Sequence, residues 1–461
     1  MSDSTITIIG GGCSGTLLLV QLIKQAQSPL SINLVYAGHQ LTRGIAYTTD
    51  SFAHLLNVRT NRMSAFTEDP KHFQNWILGK DEYVAWHTPD LAERFMPRKI
   101  YGHYLEELLA DSLNNIPSST KVNIIHDEVV DIKQIENGYK IILKNEASFS
   151  TKHVALCTGH QAPLSLPGKT KYTPNNAIAI NPWSEINTQG LNTDDAVLIL
   201  GSSLTMADTV ISLAEQNFNG KIYVISRHGQ LPLEHPIQRH EHSHPDDFIP
   251  SNDLQLLYRQ IKDRIRELTS SSTTWHEPVL EVLRPHTQRL WNQFPILQKQ
   301  QFLRHLNHRW GRLRHRLPTE IFQFLQTKIK EHQLELIAGS IISIDEKNNA
   351  LAVSITDRNT DESRTLYVQR VINCTGPEAN PEKSGNPLFQ NLLKSGLVNA
   401  CPMRLGFDAT MDGKIINKTG SVTQNIYTMG AGLRGIIWET VAVPELRVQA
   451  KILAGNILKA H

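Results

Sequence analysis

The sequence contains few cysteines and no paired arrangement of them. Its four cysteines, Cys13, Cys157, Cys374 and Cys401, lie far apart in 461 residues and form neither a CxxC nor a CxxxxC pair. A redox-active dithiol uses two closely spaced cysteines, so the pattern argues against chemistry of the thioredoxin-reductase type. Unpaired cysteines also indicate a reducing compartment, which predicts a cytoplasmic protein.

Long apolar runs and an excess of one charge are absent too. No apolar stretch approaches the length of a membrane span, and the N-terminal MSDSTITIIGGG lacks the positive segment of a signal or transit peptide. The formal net charge is only +2, so there is no electrostatic reason to expect nucleic acid as a partner. We therefore expect no membrane or nucleic-acid partner, and the oligomeric state stays open.

Motifs for a protein-supplied nucleophile are also missing. The chain has no GxSxG elbow, no HExxH helix and no P-loop lysine, so a bound cofactor should carry the reaction. One histidine-rich stretch, EHPIQRHEHSHPDD, places His235, His240, His242 and His244 close together. Alternating histidines could ligate a metal, but the prolines indicate a loop and no second ligand cluster supports it. We predict no metal site.

What the sequence does contain is a glycine-rich turn near its N-terminus. The β-branched run TITII predicts a buried strand, and it leads directly into GGGCSG. In this GxGxxG pattern the glycines permit a tight turn, a close approach to pyrophosphate and close packing of the next helix, expected over residues 16–25. The predicted cofactor contacts of the turn are Gly10, Gly12, Cys13, Ser14 and Gly15. The flanking strand and helix favour a dinucleotide site over a turn without a ligand.

One element of the usual pattern is absent from this first site. The second strand, INLVY, should end near an acidic residue that binds the adenosine ribose, but Tyr36 and Ala37 stand there. Ribose recognition must therefore come from elsewhere or be weaker.

The order of motifs occurs twice along the chain. A strand and turn, a long middle section, a β-rich stretch and an apolar strand ending in Cys-Thr-Gly are followed by a second set in the same order. The two Cys-Thr-Gly triplets begin at Cys157 and Cys374, and their glycines would let backbone pass close to a nucleotide. The repeat indicates duplication of a whole supersecondary unit, with both cysteines as buried sheet residues.

The second turn, GSSLTMADTV, is a weakened copy of the first. Ser203 replaces the middle glycine, and Ala207 lies where the helix should close on the strand. Serine is small and offers a hydroxyl, so we expect the turn to work, with contacts from Gly201, Ser203, Leu204 and Thr205. The next strand, KIYVISR, ends in Arg227, where an arginine can bind the 2′-phosphate of NADP. This favours NADPH over NADH, the alternative being a solvated strand end.

Several blocks resemble the bacterial FAD/NAD(P)-binding flavoproteins akin to class B flavin monooxygenases, which include N-hydroxylating and Baeyer-Villiger enzymes. The blocks are TRGIAYTTDSFAHLLNVRTNRMSAF, FMPRKIYGHYL, LGSSLTMAD, RWGRLRHRLP and GLRGIIWETVAVPELR. The resemblance implies FAD in the first turn and NADPH in a second, inserted domain. Related flavoproteins hold the ribitol with a Gly-Asp pair, whereas Gly430 is followed here by Ala431. A helix expected over 436–443 would aim its N-terminus at the flavin, with Pro444 starting or kinking a helix.

The resemblance also places the HLLNVR segment beside the flavin. Its His54, Asn57 and Arg59 offer an imidazole, an amide and a guanidinium, and we predict them as catalytic residues, the alternative being a capping loop. The remaining predicted cofactor contacts are Arg43, Met63, Ser64, Thr158, Gly159, Gly376, Gly430 and Gly435.

A polar, helical stretch lies inside the second half. Leu303, Leu306, Trp310, Leu313 and Leu317 recur at helical spacing and should pack on the core. The other faces carry Arg304, His305, His308, Arg309, Arg312, Arg314, His315 and Arg316. This strip could bind an acidic substrate or a cofactor phosphate, although a solvated basic face is the commoner explanation.

These features predict an α/β protein with two Rossmann-like dinucleotide-binding domains. The FAD-binding domain is expected at 1–190 and 377–461, and the NAD(P)H-binding domain at 191–376 with a helical insertion at about 250–332. The predicted function is that of an FAD-dependent, NADPH-using oxidoreductase. By analogy it is a monooxygenase that uses O2 to hydroxylate a small molecule such as an amine. The alternatives are an acceptor other than oxygen, and a nucleotide-binding sensor without turnover.

Overall fold

The computed structural model describes residues 4–163, 165–166, 177–183, 189–236, 248–269, 280, 283–347 and 350–460. Within them the strands are β1 (Ser4–Ile9), β2 (Leu30–Tyr36), β3 (Thr120–His126), β4 (Val129–Ile135), β5 (Gly138–Leu143), β6 (Ser148–Leu156), β7 (Ile178–Ala179), β8 (Val197–Leu200), β9 (Ile222–Ser226), β10 (Leu334–Lys347), β11 (Ala350–Asp357), β12 (Ser363–Val368), β13 (Arg370–Asn373), β14 (Lys414–Ile416) and β15 (Val422–Thr428).

The helices in the described ranges are α1 (Cys13–Gln25), α2 (Gly44–Tyr47), α3 (His72–Leu78), α4 (Arg98–Asn114), α5 (Leu204–Glu215), α6 (Leu254–Thr269), α7 (Thr287–Gln293), α8 (Ile296–Gln301), α9 (Asn307–Arg314), α10 (Thr319–Lys330), α11 (Pro387–Ser395) and α12 (Val443–Lys459). A π-helical turn, Phe302–Leu306, joins α8 to α9. No helix in this part of the chain is long and apolar enough to cross a membrane.

The first sheet has the strand order β14-β15-β6-β1-β2-β3, and β5 joins β4 to β6. Strand β1 pairs in parallel with both β2 and β6, so it lies in the middle and is buried on both faces. One face packs against α1, α4 and α12 through residues such as Leu18, Leu105 and Leu453. The other face is covered by β4, β5 and α11, with Ile141 and Leu392 in its core. The carboxyl edge of this sheet therefore carries the first glycine-rich turn.

The second sheet has the order β12-β11-β10-β9-β8-β13-β7. Its parallel strands β13, β8, β9 and β10 are followed by the antiparallel strands β11 and β12. Met206 of α5 and Leu325 of α10 belong to the core on one side, and Val353 and Val368 to that on the other. Helix α5 follows β8 directly, as α1 follows β1, so the predicted fold class is confirmed.

Backbone hydrogen bonds repeat between the two sheets. Gly10 N donates to Val35 O at 2.8 Å, and Gly201 N donates to Ile225 O at 2.8 Å. Each Cys-Thr-Gly strand repeats a bond as well, since Cys157 N donates to Ile9 O and Cys374 N to Leu200 O, both at 2.8 Å. The duplication therefore extends to equivalent atoms.

The chain divides into two compact units. The first comprises Met1–Gln161, His286–Gln300 and Glu378–His461, and the second comprises Ala162–Pro285 and Gln301–Pro377. The first boundary thus falls after residue 161 rather than after 190, because β7 pairs with β13 of the second sheet. Helix α7 was expected in the inserted domain, but it packs on the first unit, where Trp291 Nε1 donates to Gly435 O at 2.9 Å.

Three expected helix features differ in the structure. Helix α1 begins at Cys13 rather than at residue 16, so Cys13 and Ser14 lie in its first turn. Residues 436–443 do not form a helix, and α12 begins at Val443 with Pro444 in its first turn, where a missing N–H costs nothing. In the basic strip, Arg314 and Arg316 are 6% and 1% exposed, so these two side chains do not lie on a solvated face.

Candidate functional site

The first glycine-rich turn has the backbone that a pyrophosphate site needs. Gly10 has φ +110°, and an added Cβ would lie 2.3 Å from Cys157 O, so only glycine fits there. A Cβ at Gly15 would lie 1.9 Å from Gly10 O, which explains why α1 can begin so close to its strand. The first N–H groups of α1 have no intrahelical acceptor and sit at the positive end of the helix.

The segment after β2 folds over this turn. Thr42 N donates to Gly11 O at 2.7 Å, and a Cβ added to Gly12 would lie 3.2 Å from Gly44 Cα. Gly12 therefore allows a close backbone-to-backbone contact with Gly44. Thr42 has φ +74°, which is strained for a β-branched residue, and its buried Oγ1 has no hydrogen-bond partner. An unpaired hydroxyl beside the turn fits a site that a ligand completes.

An aromatic pair occupies the edge where an acidic residue was expected. Tyr36 ends β2, His126 ends the neighbouring strand β3, and their rings stack with centroids 4.6 Å apart and planes 11° apart. Asp127 N donates to Tyr36 O at 3.0 Å. This edge offers a flat aromatic platform for an adenosine group.

The predicted residues after β2 lie in one buried region but are held by protein partners. Thr49 Oγ1 lies 2.7 Å from Nδ1 of the buried His54. The Arg59 guanidinium donates to Glu93 O at 2.8 Å and lies over the Phe95 ring.

Arg43, Met63 and Ser64 are likewise committed to the protein. Arg43 makes a two-pronged ion pair with Glu106, at 2.7 and 2.9 Å. Met63 is in the core beside α1, and Ser64 Oγ donates to backbone carbonyls. These contacts assign Arg43 and Arg59 first of all to fixing the loop.

At the C-terminal side, Gly430 comes close to the first turn. Its φ is +66°, and an added Cβ would lie 3.0 Å from Ser14 Oγ. Gly435 packs against Cys401, where a Cβ would lie 2.1 Å from Sγ. The structure thus brings Gly430 to the cofactor turn and places Gly435 in a structural contact.

A small pocket opens at the carboxyl end of β6. Its lining includes Thr158, Gly159, His160, Glu378 and Arg434. The Arg434 guanidinium lies over the Trp438 ring at 5.4 Å, and burial lowers its pKa. Burial and the charge of Arg434 lower the pKa of His160 to about 4, so its imidazole is neutral at neutral pH.

The cysteines are poorly suited to thiol chemistry. Burial raises the pKa of Cys13, Cys157 and Cys374 to about 12, and that of Cys401 above its ordinary value. All four are free thiols, and Cys157 and Cys374 are buried as predicted.

The second turn keeps the tight bend but changes its helix contact. Gly201 has φ +93°, and an added Cβ would lie 2.5 Å from Cys374 O, the relation that Gly10 has to Cys157. Ser203 precedes α5 with φ −102°, which any residue adopts. Counting from this position, Met206 rather than Ala207 takes the place of Gly15, and α5 begins three residues after Gly201 as α1 begins three residues after Gly10. Gly376 has φ +107° with open space around it.

A cluster of basic side chains lies at the end of β9. Arg227 and His228 follow the strand, and the His228 ring stacks on His308 of α9 with centroids 4.0 Å apart and planes 22° apart. Arg358 Nη1 donates to Arg227 O at 3.2 Å and lies 3.4 Å from His228 Nδ1. Arg309 Nη1 donates to Tyr258 OH at 3.0 Å. None of the five basic side chains forms an ion pair with a carboxylate of the described ranges, so this basic cluster (Arg227, His228, His308, Arg309, Arg358) is a candidate anion site.

Sequence reasoning did not find three of the functional features. Thr42 and the Tyr36–His126 pair carry no motif, and Arg358 comes from a turn far along the chain. Among the described residues no group of three or more His, Cys, Asp or Glu could hold a metal. His240, His242 and His244 lie outside the described residues, and His235 N donates to Leu317 O at 2.9 Å.

In sequence, residues 7–161 match the model of a FAD-NAD(P)-binding family. That span holds the first turn, β2, β3 and the β6 end. No curated protein matches the chain.

Solved structures resemble the chain over its whole length. An ornithine N-hydroxylase from Kutzneria sp. 744 has a TM-score of 0.69 at 11% identity, over 99% of both chains. The L-lysine 6-monooxygenase of Pseudomonas syringae has 0.66 at 17%, over 99% of this chain and 100% of that one. A bacillithiol disulfide reductase from Staphylococcus aureus has 0.58 at 13%, over 100% and 99%. At these identities the likeness establishes the fold.

Proposed function

We propose that this chain is an FAD-dependent, NADPH-using monooxygenase that hydroxylates an amino group of a small molecule. The observation that carries the proposal is the contrast between two equivalent strand ends. In the first unit β2 ends in the aromatic Tyr36–His126 pair, whereas in the second unit β9 ends in the basic cluster. The adenosine of FAD has no 2′-phosphate and that of NADPH has one, so the two edges suit these two cofactors respectively.

The first unit fits FAD. Its turn offers the first helix N–H groups, which have no intrahelical acceptor, the unpartnered Thr42 hydroxyl and the close contact of Gly430 with Ser14. These groups would hold the pyrophosphate and the adjoining chain, and the Tyr36 ring would carry the adenosine. Bound FAD would supply the redox chemistry, accepting a hydride from NADPH and activating O2 once reduced.

The second unit fits NADPH. Gly201, Ser203, Leu204 and Thr205 would approach the pyrophosphate, and the basic cluster would hold the 2′-phosphate. Arg227 is the residue that the sequence predicts for this role, and the cluster adds the other four side chains.

Two features support the reaction itself. The chain has no nucleophile motif and no reactive thiol, so its own residues would bind and orient rather than attack. Two of the solved structures with this fold are of amine hydroxylases, by their names acting on ornithine and on lysine. His54 and Asn57 remain our proposed residues beside the flavin, with Arg59 fixing their loop through Glu93.

We propose a reducing cytoplasmic location on the strength of the unpaired cysteines.

The disulfide reductase with the same fold favours one alternative, an acceptor other than oxygen. A reductase that works through its own thiols needs a thiolate, and the raised pKa of these cysteines opposes that.

The experiment uses the purified chain saturated with FAD. We expect a yellow protein that NADPH bleaches in the absence of oxygen. Rapid mixing of the reduced protein with O2 should then give the transient absorbance of an oxygenated flavin, without immediate release of hydrogen peroxide. Immediate stoichiometric peroxide without the transient would support a non-oxygen acceptor, and failure to bind flavin would support a sensor. Ornithine, lysine and cadaverine are the first substrates to test, with hydroxylamine formation as the readout.

A further inference from the structure

The stacked pair His228–His308 is unusual in its surroundings. Both rings are half-buried, and three arginines from three segments surround them: Arg227 after β9, Arg309 on α9 and Arg358 after β11. A pair of imidazoles with centroids 4.0 Å apart can carry two positive charges only at high cost, and the arginines add to that cost. Burial and the neighbouring charges lower the pKa of both imidazoles below the ordinary 6.5, so the pair is neutral at neutral pH when no anion is present.

The titratable groups around the pair come from several elements that pack on it. Burial lowers the pKa of His228 most, followed by the charges of Arg358, Arg227 and Arg309. The same arginines and His228 itself lower the pKa of His308, again after burial. Among the described residues, Tyr258 of α6 is a further titratable group in contact with the cluster, since its OH accepts a hydrogen bond from Arg309. No carboxylate of the described ranges opposes these cations.

We infer that the His228–His308 pair takes up a proton when a dinucleotide with a 2′-phosphate binds to the basic cluster. This inference rests on the proposed function, which assigns NADPH to the second unit. A phosphate dianion placed among the arginines brings two negative charges to within reach of the rings, so one imidazole becomes charged. Affinity for NADP then rises as pH falls, while affinity for NAD, which lacks the phosphate, does not.

The sign of the effect separates it from titration of the phosphate. A histidine whose pKa is lower in the free protein and higher in the complex binds a proton on complex formation at pH values between the two. A phosphate monoester has a second pKa of about 6, and surrounding cations lower it further, so the phosphate releases protons. At pH 7 to 8 the phosphate is mostly a dianion already, and net uptake must come from the protein. Each proton taken up makes binding about tenfold tighter per pH unit of decrease.

The test is calorimetric titration of NADP+ into the FAD-saturated chain at pH 7.0, in phosphate-free buffers of different ionisation enthalpy. The slope of the binding enthalpy against the buffer enthalpy counts the protons exchanged. We expect net uptake for NADP+ and none for NAD+. A His228→Phe/His308→Phe double variant keeps two stacked rings without titratable nitrogens, and we expect it to bind NADP+ with no uptake or a small release.

Each outcome decides something different. Binding of NADP+ by the wild type without proton uptake overturns the inference and leaves the NADPH assignment intact. Uptake that persists unchanged in the double variant overturns it too. If the wild type does not bind NADP+ at all, both the inference and the NADPH assignment are wrong. Arg227→Ala checks the site itself, because it should weaken NADP+ binding at least tenfold and leave NAD+ binding unchanged.

Discussion

The thiols of Cys157 and Cys374 occupy equivalent places at the ends of β6 and β13. Cys157 follows β6, which pairs with β1, and Cys374 follows β13, which pairs with β8. Strands β1 and β8 lead into the two glycine-rich turns. A Cβ added to Gly10 would contact the carbonyl of Cys157, and one added to Gly201 would contact that of Cys374. The position after each of these strands needs a small, uncharged residue, because its backbone lies against the glycine of the turn. Cysteine meets this need without any role for its sulfur.

At the residue scale we predict that the native chain is almost inert to thiol reagents at pH 8. A thiol of pKa about 12 is roughly one part in ten thousand thiolate at that pH, and the thiolate is the reactive form. A colorimetric thiol assay should therefore detect less than one fast-reacting group in the folded protein. It should detect four after unfolding in guanidinium, which is the control. Rapid labelling of one or more thiols in the native state would contradict this prediction.

At the element scale, the helical segment after α8 combines two kinds of arginine. Arg304, Arg309 and Arg312 are exposed, whereas Arg314 and Arg316 are buried at the end of α9. Sequence periodicity placed all of them on polar faces. The chain leaves the helix after Arg314, and Arg316 turns inward so that its Nε donates to Leu313 O at 2.9 Å.

We predict that Arg316→Ala lowers the free energy of unfolding by about 3 kcal/mol, because it removes a large buried side chain and a buried hydrogen bond. Chemical denaturation followed by circular dichroism measures the change. Arg304→Ala, an exposed arginine of the same segment, is the matched control and should change it by less than about 0.5 kcal/mol. Equal effects for the two variants would show that Arg316 does not hold the segment.

At the scale of the whole molecule, two units share one construction and differ in a few side chains. The backbone hydrogen bonds of the two turns correspond, and Gly10 and Gly201 approach the carbonyls of Cys157 and Cys374 in the same way. The strand ends β2 and β9 diverge, one aromatic and one basic. A duplicated fold can in this way bind two related cofactors in fixed roles.

The matched substitutions Gly10→Ala and Gly201→Ala test the division of roles. Each adds a Cβ to a residue of positive φ, within 2.3 Å of Cys157 O in one unit and 2.5 Å of Cys374 O in the other. We expect Gly10→Ala to lose bound FAD, seen as loss of the visible absorbance. We expect Gly201→Ala to stay yellow and to be reduced by NADPH at least tenfold more slowly. Circular dichroism and melting temperature, compared with the wild type, identify a variant that has simply unfolded. Loss of flavin from both variants, or from Gly201→Ala alone, would contradict the assignment.

Much of this architecture could be predicted from local patterns. The two turns, the duplication and the buried cysteines follow from short motifs whose physics is local: glycine conformations and strand periodicity. The start of α1 was three residues off because a glycine-rich start hides a helix boundary. The expected helix over 436–443 failed because tertiary contacts hold the apolar residues there: Ile437 lies in the core, and the Trp438 ring packs on Trp291 with centroids 4.6 Å apart.

The amino-acid sequence alone determined that the chain would fold as two dinucleotide-binding units, because the glycines and β-branched strands that build them act within a few residues of each other. Only the tertiary structure decided which side chains meet at each strand end. Tyr36 reaches His126 through strand pairing, and Arg227 meets His308 and Arg358 through contacts between segments about 80 and 130 residues further along. The physical reason is that the basic cluster and the aromatic pair bring together side chains that are distant in sequence, whereas a turn depends on a few consecutive residues.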